Sequence, residues 1–255
     1  MIDIHSHILA GLDDGAATLE DSVAMVRMAA EAGTTDIVAT PHSNLQYRFD
    51  PEVVERKIAE LADAAGTAPR IHYGCDFHLS FDAIQDALQH PGRYAINHKS
   101  YLLVEFSELL IASSSSEIFD RMLAAGVAPV ITHPERNWLL QQQVDGLRQW
   151  VEKGCLLQVT AQSLLGRFGS RALEFSEQLI EQGLVHVVAS DAHDCEHRPP
   201  VLSEAFRHIA RRYGNDEADR LFVRNPWAIL EGEPIEKQGA DEEAAVAGRK
   251  WYRFW

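Results

Sequence analysis

Met1-Ile-Asp-Ile-His-Ser-His7, followed in the next loop by Asp13-Asp14-Gly15, is the segment from which the fold and the chemistry of this chain can be worked out. His5 and His7 alternate along a predicted short strand, so their imidazoles face the same side. Imidazole nitrogens bind zinc, iron and manganese, and the neighbouring carboxylates add oxygen ligands and negative charge. An HxH pair alone is a weak signal, because polar residues are common at strand ends. The metal-site hypothesis therefore depends on whether the rest of the chain repeats the pattern.

The composition limits the classes of partner. The chain has 255 residues, enough for a sizeable core and near the upper end of a single domain. Lys and Arg total 23 against 38 for Asp and Glu, which gives a net charge of −15. Sequence-independent nucleic-acid binding needs a basic surface, so the charge predicts no nucleic-acid partner and disfavours a nuclease. It is compatible with a protein that binds cations.

The cysteines and the hydropathy pattern indicate the compartment. Cys75, Cys155 and Cys195 are an odd number without framework spacing, which disfavours a secreted domain built on disulfides. The first residues enter a strand directly, without a basic leader or a long apolar run. No later segment approaches the ~20 apolar residues of a membrane span. We therefore expect a cytoplasmic protein without membrane insertion, and the sequence leaves open whether it forms an oligomer.

Seven short β-rich runs follow one another, separated by helical or loop sequence long enough for crossover connections. This alternation predicts an α/β protein with a mainly parallel sheet. Closed on itself, the sheet would form a distorted (β/α)7 barrel, TIM-like but with seven strands. An open doubly wound sheet is the alternative, although no G-x-G-x-x-G turn follows the first strand. The runs are residues 1–7, 36–42, 70–76, 101–105, 128–133, 155–160 and 185–193.

Side chains of the metal-binding types stand at or near the end of six of these seven runs. In parallel sheets and barrels all carboxyl ends lie on one face, so these residues are expected to converge. Ordinary polar strand ends would not repeat the same chemistry so regularly. The residues are His5, His7, His42, Asp76, Glu105, His133, Asp191 and His193, with the Asp13-Asp14 pair in the first loop.

The number and type of these ligands indicate more than one ion. Five imidazoles and about four carboxylates exceed what a single catalytic zinc needs, and they fit two or three divalent ions. The mixed nitrogen and oxygen set favours manganese, iron or zinc over calcium or magnesium. Arg136 follows His133, and Arg198 follows His193, so two guanidinium forks lie in ligand-bearing loops. Such forks bind oxyanions, and phosphate beside clustered metals predicts phosphoester hydrolysis.

The ordered motif set resembles the polymerase-and-histidinol-phosphatase (PHP) superfamily, from residue 1 to about residue 230. Within it, the chain is most similar to the bacterial manganese-dependent protein-tyrosine phosphatases of capsule and exopolysaccharide loci. The matching motifs are His5-Ser-His7, Asp13-Asp14-Gly15, Thr40-Pro-His42, Glu105-Phe-Ser107, His133-Pro-Glu-Arg136, Ser190-Asp-Ala-His193 and Arg198-Pro-Pro.

The resemblance implies a PHP-type (β/α)7 barrel with three metal ions, for which Mn²⁺ is favoured and iron or zinc is the alternative. It implies that one ion takes His5, His7, Glu105 and Asp191, a second His42, Glu105 and His133, and a third Asp14, the acid at position 76 and His193. Position 76 is aspartate where the family usually has glutamate. Arg136 and Arg198 match the phosphate-binding arginines.

The implied reaction is hydrolysis of phosphotyrosine on a bacterial tyrosine autokinase, by attack of a hydroxide activated by several metal ions. Two alternatives remain open: a small-molecule phosphatase of the same superfamily, for example on histidinol phosphate, and a regulatory protein that binds metal without turnover. The predicted division is a metal-dependent phosphatase domain of the PHP type, 1–231, and a tail, 232–255, that is first acidic and then aromatic.

Overall fold

The computed structural model describes residues 1–66, 69–79 and 81–236 of the chain. Strands and helices alternate through most of this range. The strands are β1 (Ile2–Ser6), β2 (Asp36–Ala39), β3 (His42–Ser43), β4 (Arg70–Tyr73), β5 (Asp76–His78), β6 (Tyr101–Glu105), β7 (Ala128–Thr132), β8 (Leu156–Thr160) and β9 (Val187–Ala189). The helices are α1 (Leu19–Glu31), α2 (Pro51–Ala65), α3 (Phe81–Gln89), α4 (Ser115–Ala124), α5 (Val144–Lys153), α6 (Ser170–Glu181), α7 (Ser203–Tyr213), α8 (Asn215–Asp219) and α9 (Asn225–Glu231).

All strand pairs are parallel, which confirms the predicted α/β class. One sheet has the order β1-β2-β4 and the other has the order β3-β5-β6-β7-β8-β9. The described residues form nine strands where seven runs were predicted, because the second and third runs are each divided between the two sheets. Pro41, between β2 and β3, has no N–H for the ladder. At Gly74, between β4 and β5, a Cβ atom would lie 2.7 Å from Val38 Cγ1. The backbone between β4 and β5 therefore passes close to β2 at the point where the run is divided between the sheets.

The first and last strands are neighbours. An isolated parallel bridge joins Ser6 to Ala192. The His7 amide donates to the Ala192 carbonyl at 2.8 Å, and the Asp191 amide donates to the His5 carbonyl at 2.9 Å. These bonds bring the end of β1 beside the segment that follows β9, at the carboxyl ends of both strands.

Side chains cap the first two helices. Thr18 caps α1 in a full capping box with Asp21, and Asp50 caps α2, with Pro51 in the first turn. A π-helical turn continues α8 directly into α9, which has Pro226 in its first turn, and the break between α7 and α8 falls at Gly214, whose φ is 98°.

Two apolar clusters surround the sheets. The larger one joins the helices to the strands, and the smaller one packs Ile4, Leu103 and Val130 with Ile229 and Leu230 of α9. The carboxyl ends of the strands are thereby left to polar residues. In the part of the chain that the structure describes, no helix combines the length and the apolar character needed to cross a membrane.

The beginning of the predicted tail packs on the body of the protein. The Tyr101 hydroxyl donates to the Glu233 carbonyl at 2.6 Å, and the side chain of Asn225 bonds to the backbone N–H and C=O of Glu236. Residues 237–255, which hold the acidic and aromatic parts of that predicted tail, lie outside the described residues.

Candidate metal centre

The histidines predicted from the strand ends converge. The imidazole centroids of His5 and His133 are 5.8 Å apart, those of His7 and His42 are 4.4 Å apart, and those of His7 and His193 are 4.0 Å apart. Every predicted site residue is in contact with another member of the cluster: His5, His7, Asp14, His42, Asp76, Glu105, His133, Arg136, Asp191, His193 and Arg198.

Three ligand-type atoms form a nearly equilateral triangle. Nε2 of His5 lies 3.3 Å from Nε2 of His7, and each lies 3.4 Å from Oδ1 of Asp191. Metal bonds of about 2.1 Å place neighbouring ligand atoms about 3.0–3.4 Å apart in tetrahedral or octahedral geometry. The triangle therefore has the dimensions of one face of a coordination polyhedron.

A second group lies around Glu105. His42 Nδ1 is 3.0 Å from Asp76 Oδ2 and 3.6 Å from Glu105 Oε2. His133 Nε2 is 3.6 Å from Glu105 Oε1. The two oxygens of one carboxylate thus face two different imidazoles, an arrangement that suits a bridging ligand.

A third group includes the half-exposed side chain of Asp14, whose Oδ1 lies 3.4 Å from His42 Nε2 and 3.5 Å from His193 Nε2. Asp76, which was predicted to join Asp14 and His193, instead faces His42 and His5, with 3.7 Å between its Oδ2 and His5 Nε2. The assignment of ligands to individual ions stays a prediction.

The buried polar atoms fit a cation-binding role. Both carboxylate oxygens of Asp76 and the Nδ1 atom of His42 are buried, and no residue in the described part of the chain forms a hydrogen bond with them. The 3.0 Å approach between the two side chains does not have hydrogen-bond geometry. Burying unpaired polar atoms is costly. Ligands that share a divalent cation bring nitrogen and oxygen atoms close together without a hydrogen bond between them. The residues present therefore fit the predicted ions.

The electrostatics of the cluster favour positive charge. Burial disfavours a charged His7, but the Asp13 carboxylate raises the pKa of His7 to about 9. In the same way Asp14 and Asp76 overcome burial and raise the pKa of His42 to about 11. Burial and the Asp76 charge raise the pKa of Glu105 to about 7. The carboxylates therefore create a field in which a cation is stabilised.

His133 and Asp191 have unusual backbone conformations. Their φ angles are 34° and 52°, in the left-handed region that residues with a side chain rarely adopt. Such conformations concentrate at functional sites, where the surrounding structure compensates their cost. Burial and the Arg136 charge lower the pKa of His133 to about 3, so its imidazole is neutral and carries a free lone pair.

The two predicted arginines meet at one atom. Arg136 Nη1 and Arg198 Nη2 both donate to Oδ2 of Asp191, the latter at 2.5 Å. Asp191 therefore turns Oδ1 towards the imidazoles and Oδ2 towards the guanidinium groups. This places two planar cations at the edge of the cluster, where they can receive an oxyanion bound beside it.

Two residues orient the histidines, a role that residue types and spacing had not indicated. Gln158 Oε1 lies 2.8 Å from His5 Nδ1, and Asp13 Oδ2 lies 2.6 Å from His7 Nδ1. Acceptors on Nδ1 leave Nε2 of each ring free to bind a metal. The signal for Gln158 was a buried amide within the apolar run of β8, the strand to which no ligand had been assigned. Asp13 was visible as the neighbour of Asp14.

A third such residue, Glu135, is fully buried between two loops. Its Oε1 accepts from the Thr160 amide at 3.0 Å and from the Ser163 hydroxyl at 2.7 Å. The bonds connect the loop that carries His133 and Arg136 to the end of β8. Glu135 therefore positions both residues without contacting the cluster itself.

The fold and this site define an α/β protein with parallel sheets whose strand ends carry a histidine and carboxylate cluster that could hold metal. The chain belongs to the capsular polysaccharide synthesis CpsB/CapC family, which it matches over residues 1–231. The family predicted from the motifs is thereby confirmed.

Two named relatives align with essentially the whole chain. It is 32% identical over 256 residues to the putative tyrosine-protein phosphatase CapC of Staphylococcus aureus, with 99% of each chain covered. It is 33% identical over 259 residues to the tyrosine-protein phosphatase YwqE of Bacillus subtilis strain 168, with 100% of each covered. Among solved structures, one from a study of YwqE from Bacillus subtilis and CpsB from Streptococcus pneumoniae, described as metal-dependent tyrosine phosphatases, matches with a TM-score of 0.87 at 33% identity. It covers 93% of this chain and 97% of its own.

Proposed function

We propose that this chain is a metal-dependent protein-tyrosine phosphatase that removes phosphate from a bacterial tyrosine kinase of the capsule or exopolysaccharide machinery. The observation that carries the proposal is the convergence of Arg136 and Arg198 on Asp191 at the edge of the histidine and carboxylate cluster. The family and its named relatives support the same activity.

The predicted metal ligands are His5, His7, Asp14, His42, Asp76, Glu105, His133, Asp191 and His193, and two or three ions, with manganese favoured, fit their number. When bound, divalent cations supply Lewis-acid chemistry: they make water a nucleophile at neutral pH and offset charge on phosphoryl oxygens.

The residues of the chain orient the substrate and hold protons at defined atoms. Arg136 and Arg198 would grip the non-bridging oxygens of the phosphate and stabilise the charge that grows on them in the transition state. Gln158 holds a proton on Nδ1 of His5 by accepting from it. A tyrosine leaving group has a pKa near ~10, so it departs with less help from a general acid than an alkoxide needs.

We further propose that the two sheets form one distorted (β/α)7 barrel of the PHP type. The bridge between Ser6 and Ala192 supports this arrangement, because it brings the last strand beside the first. On this proposal residues 1–231 are the catalytic domain, residues 232–255 are an appended tail, and the enzyme works in the cytoplasm.

The test is an assay of protein purified without chelator. We expect hydrolysis of p-nitrophenyl phosphate and of phosphotyrosine peptides that is lost with EDTA and restored best by Mn²⁺. The catalytic efficiency on phosphotyrosine peptide should exceed that on histidinol phosphate. A preference for histidinol phosphate would favour a small-molecule phosphatase, and metal-loaded protein without turnover would favour a regulatory role.

A further inference from the structure

A groove of about 410 Å³ opens beside the cluster, between the loops that follow β6 and β7 and the start of α6. Arg136 lines this groove and also contacts Asp191 in the cluster. Its guanidinium group lies 4.3 Å from the ring centroid of Phe168, which forms another part of the groove wall. The groove is therefore continuous with the position proposed for the phosphate.

One large apolar side chain is exposed in the groove wall, and two more directly follow a wall residue in the chain. Trp138, which lines it, is 52% exposed, and its indole N–H donates to the Glu108 carbonyl at 3.0 Å. Leu109 and Leu110, directly after Glu108, are 90% and 69% exposed. A tryptophan fixed by a backbone bond offers a rigid apolar surface at a low entropy cost. These three residues lie on adjacent loops at the carboxyl ends of the strands.

The groove is lined by two acidic and two basic side chains, Glu108 and Glu135 with Arg136 and Arg171. Arg171, in the first turn of α6, lines it and forms no ion pair with any other residue in the described ranges. Arg136 adds a second guanidinium group. Arg171 can therefore pair with an anionic group of a bound peptide.

We propose that this groove binds the peptide segment next to the phosphotyrosine of the protein substrate, and that it selects a bulky apolar side chain within a few residues of the tyrosine. This inference rests on the proposed phosphatase function and adds a specificity site to it. The apolar side chain packs on Trp138, Leu109 and Leu110, while Arg171 pairs with an anionic group of the peptide. Arg136 holds the phosphate at the inner end of the same groove.

The test compares metal-loaded protein on p-nitrophenyl phosphate and on phosphotyrosine peptides of equal length. The flanking residues are all alanine in one peptide, and single leucines replace them in turn in the others. We expect the best leucine peptide to exceed the alanine peptide about tenfold in kcat/KM, as burial of one apolar side chain allows. Trp138→Ser and the double variant Leu109→Ser/Leu110→Ser should bring that ratio close to one.

Two matched controls separate the groove from general surface effects. Trp227→Ser removes another half-exposed tryptophan, on α9, and should leave the peptide ratio unchanged. Arg171→Gln should raise KM for every peptide several-fold, whereas Arg207→Gln, with the same charge change on α7, should not.

The outcomes distinguish the two proposals. Equal rates on all peptides, or a leucine preference that survives in the Trp138 and Leu109/Leu110 variants, would overturn the groove while leaving the phosphatase intact. If the Trp138 and Leu109/Leu110 variants lost kcat/KM equally on p-nitrophenyl phosphate and on peptides, the groove proposal would also be overturned. These residues would then support the fold rather than select the peptide. Absence of any hydrolysis in the metal-loaded native protein would overturn the proposed function itself.

Discussion

Gln158 and His5 are joined by a 2.8 Å contact between Oε1 of the amide and Nδ1 of the ring, and both residues are fully buried. This contact comes from β8, the strand to which the sequence had assigned no part in the site. It determines which nitrogen of His5 carries the proton, and therefore which one faces Asp191 and the cluster.

Replacing this acceptor should weaken metal binding. Gln158→Leu keeps nearly the same volume, so the fold should survive, but the His5 ring loses the partner that fixes its proton. We expect Mn²⁺ affinity to fall about 10–100-fold, as for other residues that orient metal ligands. Titration of Mn²⁺ into chelator-treated protein, followed by electron paramagnetic resonance, measures this. Gln182→Leu, at the end of α6, is the control and should bind Mn²⁺ with native affinity. Native Mn²⁺ affinity in Gln158→Leu would contradict the proposed orienting role of Gln158.

The first loop should not tolerate a side chain at Gly15. A Cβ atom there would lie 2.0 Å from the backbone oxygen of His7, so Gly15→Ala must displace the loop that carries Asp13 and Asp14. We expect a loss of about 1–3 kcal/mol in the free energy of unfolding together with weaker metal binding. Gly146→Ala, inside α5 with its nearest neighbour at 3.6 Å, should have the opposite sign, with a gain of up to about 1 kcal/mol. Urea unfolding of both variants decides the matter.

The arginine pair should matter for turnover rather than for metal content. Arg136→Lys and Arg198→Lys keep the positive charge but lose the planar fork that matches phosphate. We expect each to lower kcat/KM about 100-fold while bound metal, measured by elemental analysis, stays at the native level. Arg212→Lys, an exposed ion-pair residue on α7, should behave as native. Native kcat/KM in both lysine variants would remove the arginines from the mechanism.

We expect an ion pair at the amino-terminal end of β2, away from the cluster, to make the stability of the protein depend on pH. Asp36 accepts from Arg70 at 2.7 and 3.0 Å and contacts His72 Nε2 at 2.8 Å. Burial opposes the charged carboxylate, but these partners hold the pKa of Asp36 below its ordinary value of 3.8. Its contribution is therefore complete above that value and disappears as the pH falls through the folded pKa.

Asp36→Asn should accordingly cost about 1 kcal/mol at pH 7, a modest figure because Arg70 is largely exposed and screened. The difference between the variant and the native protein should shrink at pH 3. Urea unfolding at both pH values measures it, and a difference that grows at pH 3 would have the wrong sign.

The convergence of the strand-end side chains could be expected from the sequence, whereas the division of the sheet could not. The convergence of His5, His133 and Asp191 follows from parallel strand order alone, because every carboxyl end of such a sheet lies on one face. The division of the second and third runs depends on the approach of Gly74 to Val38, a contact between segments distant in the chain. Pro41 was the one local residue type that indicated this division, because proline has no N–H for the strand ladder.

Other features of the site could not be read from residue types. Gln158 is not a metal ligand by chemistry, and only its 2.8 Å contact with His5 gives it a role. The position of Asp76 beside His5 and His42, rather than with Asp14 and His193, depends on side-chain directions that strand periodicity does not determine. The exposure of Trp138 is likewise a property of two packed loops.

The adjacency of the first and last strands has a consequence for how this protein is made. The Ser190 amide donates to the Asp3 carboxylate across 187 positions of the chain. At about 5–20 residues per second, a ribosome needs on the order of 10 to 40 s to synthesise the residues between them. The nascent chain carries His5 and His7 throughout that interval without Asp191. On the proposed ligand set, a cation that needs all three residues would bind only after the last strand has been synthesised, and it would come from the ions that the finished protein meets.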